Sequence, residues 1–329
     1  MARRTLDTAH KSKNDEFYTQ YEDVEREVNA YLDYDPDIFK GKVILCPCDD
    51  TESSSFTKYF AQNFEKLGLK KLICTSYEKT GTRGRLITLE SDKNNSGRTD
   101  IEDIKLKFLE GDGDFRSEEV KKLRDEADFI ITNPPFSLFR EFINWILEGN
   151  KKFIILGNQN AITYKDFFPF IANNQIWLGS RFNERINGKN LTYKVPDHYE
   201  MKACELFVNS EGEKFITVPG TGWFTNIDHG KRHQPLALMS MADNIKFSKH
   251  KEIKGVGYKK YDNYDAIEVP FVDAIPSGYS GDMGVPITFL GKYCPEQFEI
   301  IRFRKGNDGK DLSISGKCPY FRIIIRSKK

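Results

Sequence analysis

Asp128-Phe129-Ile130-Ile131-Thr132-Asn133-Pro134-Pro135-Phe136 is the stretch on which the fold turns. Phe129 to Thr132 is a short apolar run, which reads as a buried strand. Asn133-Pro134-Pro135 ends it, because each proline fixes φ and carries no amide hydrogen. A helix follows from about Leu138 to Leu147, and then another strand from Lys152 to Gly157. Strand, helix and strand joined by short loops imply right-handed parallel crossovers.

The residues before this stretch repeat the pattern. Val43-Ile44-Leu45-Cys46 is a strand whose end, Pro47-Cys48-Asp49-Asp50, passes into an amphipathic helix over Thr51 to Phe64. Phe56, Tyr59, Phe60 and Phe64 recur there at helical spacing. Lys71 to Tyr77 is a second strand and Lys105 to Leu109 a third. Between them, Glu78 to Asp100 reads as a polar insertion with a small hairpin near Leu86 to Leu89. Gly111-Asp112-Gly113-Asp114-Phe115 is a turn, after which Ser117 caps a helix with Glu118 and Glu119 in its first turn. The expected fold is α/β, a Rossmann-like doubly wound sheet. Its ligands are expected at the carboxyl ends of the strands, where all these unusual turns fall.

After about Asn174 the pattern changes to shorter strands, Gln175 to Leu178, Glu205 to Val208, Lys214 to Val218 and Trp223 to Ile227. From about Pro235 the periodicity weakens. We therefore expect a basic arm over 1–13, a main domain over 14–235 and a smaller domain over 236–329.

With 329 residues, 39% of them hydrophobic, the chain can build one large or two modest cores. No apolar run approaches the roughly 18 to 20 residues of a membrane span. Met1-Ala2-Arg3-Arg4-Thr5 leads into polar residues rather than the apolar core of a signal peptide. Six scattered cysteines fit a reduced, cytoplasmic protein. Cys46 and Cys48 lack the spacing of a zinc site. The net charge of +1 does not announce a nucleic-acid binder, but its distribution does more. Arg3, Arg4, His10, Lys11 and Lys13 form a basic arm. Lys246, Lys249, Lys251, Lys254, Lys259 and Lys260 form a basic stretch, and basic residues return from Arg302 to Lys329. Such a carboxy-terminal third suits phosphate contacts, although an ordinary solvated surface explains it equally well.

The chemistry concentrates in Asn133-Pro134-Pro135-Phe136. The Asn133 side-chain oxygen and the Pro134 carbonyl can each accept one hydrogen of an amino group on a planar ring. That draws the nitrogen out of conjugation and aims its lone pair at an electrophile. Phe136 offers a face on which a base stacks, worth roughly 1 to 3 kcal/mol. No strong base is needed, so catalysis rests on positioning and fixed dipoles. Phe17-Tyr18-Thr19-Gln20 is weaker taken alone, where a surface helix start explains it. His229 and His233 stand four apart without a third ligand, and read as part of a basic loop near phosphates rather than a zinc site. Trp223, Phe224 and the aromatics of 167–170 read as core.

The order Phe17-Tyr18-Thr19, Cys48-Asp49-Asp50, Gly113-Asp114-Phe115, Asn133-Pro134-Pro135-Phe136 resembles the gamma arrangement of amino-methyltransferases. More closely, the chain resembles the EcoRI-type DNA adenine-N6 methyltransferases. Gly157-Asn158, Ala161 to Lys165, Trp223-Phe224-Thr225-Asn226 and Gly284 to Leu290 carry the likeness over nearly the whole chain. The resemblance implies S-adenosylmethionine as cofactor and double-stranded DNA as substrate, with an adenine rotated out of the stack. By the same resemblance, Phe17, Tyr18 and Thr19 contact the methionine part, and Cys48, Asp49 and Asp50 occupy the first turn. Asp114 hydrogen-bonds the cofactor adenine with Phe115 packed against it, Asp112 joins the cofactor-binding residues, and Asn133 to Phe136 hold the target adenine. The second strand departs from the family in lacking an obvious ribose-binding acid, for which Tyr77 and Glu78 are the nearest candidates. The smaller domain becomes a target-recognition domain. A bacterial cytoplasmic monomer, with a restriction endonuclease acting on the same site without direct contact, completes the expectation. The first turn departs from the glycine-rich pattern usual in methyltransferases. The alternatives are methylation of RNA adenine or of a protein glutamine, and a catalytically silent DNA-binding protein.

Overall fold

The computed structural model describes residues 18–48, 54–78, 82–90, 99, 101–182, 191–195, 206–218, 220–304, 312–317 and 321–328. The arm over 1–13, Phe17, Asp49, Asp50, Lys305, Lys310 and Lys329 lie outside them, and Tyr18 is described by its backbone alone. Two compact units emerge, Met1–Ala161 with Leu178–His229, and Ile162–Trp177 with Gly230–Lys329. The sequence reading runs the first domain unbroken to 235, whereas 162–177 and 230–235 go with the second unit.

In chain order the first unit opens with β1 (Tyr18–Thr19), α1 (Tyr21–Leu32), β2 (Val43–Cys46), α2 (Ser55–Gln62), β3 (Lys71–Thr75), β4 (Arg85–Leu89) and β5 (Lys105–Phe108). α3 (Glu118–Glu126), β6 (Phe129–Thr132), α4 (Phe139–Glu148) and β7 (Lys152–Asn158) follow. α5 (Phe168–Ala172) belongs to the second unit. Then come β8 (Trp177–Leu178), β9 (Thr192–Lys194), β10 (Leu206–Val208), β11 (Lys214–Thr217) and β12 (Thr221–Thr225).

One eight-stranded sheet in the order β5-β4-β3-β2-β6-β7-β12-β8 carries this unit. Its middle strands β3, β2, β6 and β7 are parallel, so their carboxyl ends share one edge. β2 and β6 are buried at every residue, as strands covered on both faces must be. One covering layer packs Val24, Val28 and Tyr31 of α1 and Phe56, Tyr59 and Phe60 of α2 against Ile44, Ile131, Ile154 and Leu156. α4 buries Phe139, Phe142, Ile143, Trp145 and Ile146. Ser54 and Ser117 cap α2 and α3, the latter as the sequence suggests. A smaller antiparallel sheet, β1-β9-β11-β10, brings the residues before α1 onto the same unit.

One expectation needs correction. The segment near Leu86 to Leu89, expected as a small hairpin within an insertion, is a strand of the main sheet. β4 enters the main sheet antiparallel to both β3 and β5. Ile87 and Leu89, two apart, are 3% and 1% exposed, and their burial on one sheet face is the reason. β5 is thereby displaced to the rim, where all its residues are exposed and Lys105 and Lys107 blunt the edge.

The second unit holds α6 (Met241–Phe247) and the strands β13 (Ala266–Glu268), β14 (Asp282–Val285), β15 (Phe298–Arg304) and β16 (Arg322–Ser327). These form a sheet in the order β13-β14-β16-β15. Among the described residues no helix is long and apolar enough to cross a membrane.

Candidate active site

Asn133 to Phe136 leave the carboxyl end of β6, between β2 and β7. The Asn133 oxygen Oδ1 is buried. Pro134 is buried, and Pro135 holds an extended ψ of 125° before the 3-10 turn Phe136–Leu138. Leu138 closes that turn by donating its N–H to the Pro135 carbonyl at 3.0 Å. Phe136 is half-buried and leans on the core under α1 and α2. The apolar strand and the two prolines thus set an amide oxygen at the sheet edge.

On the β2 side, Thr75 Oγ1 donates to the Pro47 carbonyl at 3.2 Å and ties the first turn to the end of β3. Cys48 is half-buried there. Thr19 comes to the same place: Ser55 Oγ, in the first turn of α2, donates to the Thr19 carbonyl at 2.7 Å. The Thr19 side chain is 7% exposed, and its hydroxyl has no hydrogen-bond partner among the described residues. A buried hydroxyl without a partner costs free energy unless a ligand meets it. Opposite Thr19 in the ladder stands Tyr193, whose hydroxyl is pushed above its ordinary range by burial. Asp23, one turn into α1, is pushed up to about 6 by burial; Glu22 adds to the rise and Arg26 opposes it.

The remaining acidic candidates gather beyond β3. Glu78 donates its N–H to the Asp112 carbonyl at 2.8 Å, and Gly84 donates to the Gly111 carbonyl at 2.9 Å. The chains lie so close that a Cβ on Gly113, at φ +85°, would stand 2.0 Å from the Ser76 carbonyl oxygen. Only glycine fits there. Tyr77 is exposed at 47%, while Glu78 is half-buried and accepts from Ser76 Oγ at 3.2 Å. Asp112 Oδ1 accepts from the Asp114 N–H at 3.0 Å. The Arg116 guanidinium grips Asp114 through Nε at 2.9 Å and Nη2 at 2.6 Å, which holds that carboxyl below its usual range. Phe115 is 5% exposed and packs edge-on against Phe142 and Trp145, at 5.0 and 5.6 Å. Its ring takes part in the packing of α4.

The structure therefore brings Thr19 and Cys48 to one flank of the β6 turn, and Tyr77, Glu78, Asp112 and Asp114 into one adjoining group. His229 departs from the reading as a phosphate-side loop. It is 3% exposed, with Nε2 3.0 Å from the Leu178 carbonyl and its ring edge-on to Tyr31. Arg232 of that segment lies over the Trp177 ring at 3.8 Å. Trp223 and Phe224 are core, at 1% and 0% exposure. No group of three or more His, Cys, Asp or Glu side chains suited to a metal occurs among the described residues.

Sequence reasoning assigned no role to two buried polar residues. Asn158 ends β7 with 8% exposure, and Glu27 of α1 is fully buried. Glu27 accepts from the Ser180 and Arg181 amides at 2.8 Å each and from the Tyr31 hydroxyl at 2.8 Å. A polar residue closing an apolar strand run was the available signal for Asn158.

A family model described as the adenine-specific methyltransferase EcoRI matches residues 5–328. The chain is 45% identical to the Type II methyltransferase M.EcoRI of Escherichia coli, over 99% of this chain and 97% of that protein. It is 34% identical to the Type II methyltransferase M.MpnI of Mycoplasma pneumoniae, over 98% of this chain and 97% of the relative. Identity to the Type II methyltransferase M.MgeORF184P of Mycoplasma genitalium is also 34%, over 98% of both. No solved structure is matched by the chain.

Proposed function

The chain belongs to the EcoRI adenine-specific methyltransferase family, and we propose that it transfers the methyl group of S-adenosylmethionine to N6 of an adenine flipped out of duplex DNA. It is an adenine-specific methyltransferase of the restriction-modification kind. The observation that carries the fuller reading is the Asn133 turn, a buried amide oxygen fixed by two prolines at the carboxyl edge of β6.

The methyl donor fits the residues on the β2 and β3 side. The unpartnered Thr19 hydroxyl, with Tyr18 and Cys48 beside it, suits the methionine part. Glu78, half-buried, suits the ribose hydroxyls. Asp112 and the ionised Asp114 suit the adenine amine. When bound, S-adenosylmethionine supplies an electrophilic methyl on a sulfonium. The protein's part is positional. Asn133 Oδ1 and the Pro134 carbonyl accept the two N6 hydrogens, which localises the nitrogen lone pair, and Phe136 stacks on the ring. Flipping costs a few kcal/mol of unstacking, which contacts to the duplex offset.

Lys246, Lys249, Lys251, Lys254, Lys259 and Lys260 of the second unit are all exposed, which suits phosphate contacts and a target-recognition role. All the named groups come from one polypeptide, so a monomer suffices. A restriction endonuclease of the same site, in a bacterial cytoplasm, is its counterpart without direct contact.

Expression in a methylation-deficient bacterial host, beside Asn133→Ala, tests the reading by modification-sensitive sequencing of plasmid DNA. N6-methyladenine at one recurrent short motif, absent with the variant, is expected. Unmodified DNA from folded, donor-binding protein overturns it in favour of RNA, protein or silent DNA binding.

A further inference from the structure

Asn158 is the last residue of β7, and β7 lies on the flank of β6 away from β2 and β3. Thr132, the last residue of β6, pairs with Ile155, and β7 runs on three residues further to Asn158, past the point where the Asn133 turn leaves β6. Asn158 is thus a neighbour of the Asn133 turn on the side opposite the loops assigned to the methyl donor. Its side chain is held at one end only. Oδ1 accepts the Asn160 N–H at 2.9 Å, which fixes the amide plane and commits the oxygen. Nδ2 is buried and has no acceptor among the described residues. The next strand leaves room beside it: Gly220, at φ +77°, carries no side chain, and a Cβ built there would still be 4.0 Å from Nδ2. Flipping the amide does not remove the problem, because it would set two N–H donors against each other at Asn160.

A buried amide donor without an acceptor is a costly thing to keep in a fold. Its neighbours explain what it is kept for. Asn133 Oδ1 and the Pro134 carbonyl are the acceptors assigned to the N6 amine. The atom next to that amine on the Watson–Crick edge of adenine is N1, a pure acceptor. Guanine carries a donor at that ring position, so a fixed N–H there also rejects it. We propose that Asn158 Nδ2 donates to N1 of the flipped adenine, completing readout of its Watson–Crick edge from the β7 flank. Asn158 is then a substrate-binding and specificity residue of the same site, and the inference rests on the methyltransferase reading above.

The test uses full-length protein and duplex oligonucleotides containing the methylated motif, with the target adenine replaced by 1-deazaadenine or 7-deazaadenine. Wild-type protein must first methylate the adenine duplex; failure at that step sinks the functional reading and not this assignment alone. With wild type, 1-deazaadenine is expected to lower kcat/KM roughly ten- to a hundredfold, the range for stranding one buried donor. Asn158→Ala should lose a similar factor on adenine and lose nothing further on 1-deazaadenine, while its methyl-donor affinity stays at the wild-type value. The 7-deazaadenine duplex should affect both proteins equally. An equal 1-deaza penalty in wild type and variant overturns the proposal, as does sensitivity confined to 7-deazaadenine. Should Asn158→Ala fail to fold, wild type alone decides, because indifference to 1-deazaadenine already refutes a donor at N1.

Discussion

Two buried polar clusters, one in each unit, differ in how completely the protein satisfies them. In the C-terminal sheet, Glu268 is 8% exposed, and Arg322 Nε donates to its two oxygens at 2.9 and 3.1 Å. Tyr261 donates its hydroxyl to the same carboxylate, and the glycine at 284 leaves the space that the Tyr261 ring tip occupies. At the carboxyl edge of the central sheet, Thr19 Oγ1 and Asn158 Nδ2 are as deeply buried and meet nothing among the described residues. The closed cluster is complete within the fold. The open one is not complete among the described residues, and it lies where the proposed ligands are assigned.

The closed cluster should show the largest effect. Glu268→Ala strands the Arg322 guanidinium in a buried position, and a loss of about 3 to 5 kcal/mol is expected in urea unfolding. A loss below about 1 kcal/mol would mean that water reaches Arg322 and that the cluster is not closed. Asn133→Ala is the counterpart at the sheet edge. Methylation should fall roughly 100- to 1000-fold, as for one preorganised hydrogen-bonding group aimed at a reacting centre. Its unfolding free energy should fall by no more than about 1 to 2 kcal/mol, well short of the loss at Glu268. A large loss of stability with intact turnover would reverse the distinction drawn between the two regions.

Asp23 lies between these extremes, being buried and charged only in part. Its folded-state value of about 6 exceeds the ordinary 3.8, so the neutral form is the one the fold prefers. The stability linked to this group is therefore complete below about pH 4 and is lost as pH rises through 6. Asp23→Asn should abolish that decline and gain about 1 to 3 kcal/mol at pH 8, with no gain at pH 4. Unfolding curves at the two pH values check the sign. A variant that loses stability at pH 8 would show the carboxylate to be ionised and paired.

The site was more legible than the surroundings that complete it. β2, β6 and β7 are buried on both faces and leave continuous apolar runs, and the prolines of Asn133-Pro134-Pro135 punctuate one of them plainly. β4 was hidden because only Ile87 and Leu89 are buried while Leu86 and Thr88 alternate with them. The strands after 235 were illegible for a related reason. β13 and β14 are three and four residues long, too short to show a period, and Glu268 and Arg322 place charges where an apolar residue is expected. For Phe115 the helix packing was not legible: its ring, in the ligand-side turn, also lies edge-on to Phe142 and Trp145.

The smallest expected effect is the most discriminating. Thr19→Val keeps the shape and the β-branched backbone preference of the strand while deleting the hydroxyl. In the closed cluster such a deletion strands a partner. Here the hydroxyl has none among the described residues, so stability should be unchanged or rise by up to about 1 kcal/mol. Affinity for S-adenosylmethionine, read by titration calorimetry, should weaken about 3- to 10-fold, the range for one neutral hydrogen bond. The two readouts move independently only if the fold leaves this atom for a ligand. A variant less stable by more than about 1 kcal/mol, with unchanged donor affinity, would place Thr19 with Glu268 among groups the fold itself satisfies, and the open edge would then begin at β6 rather than at β1.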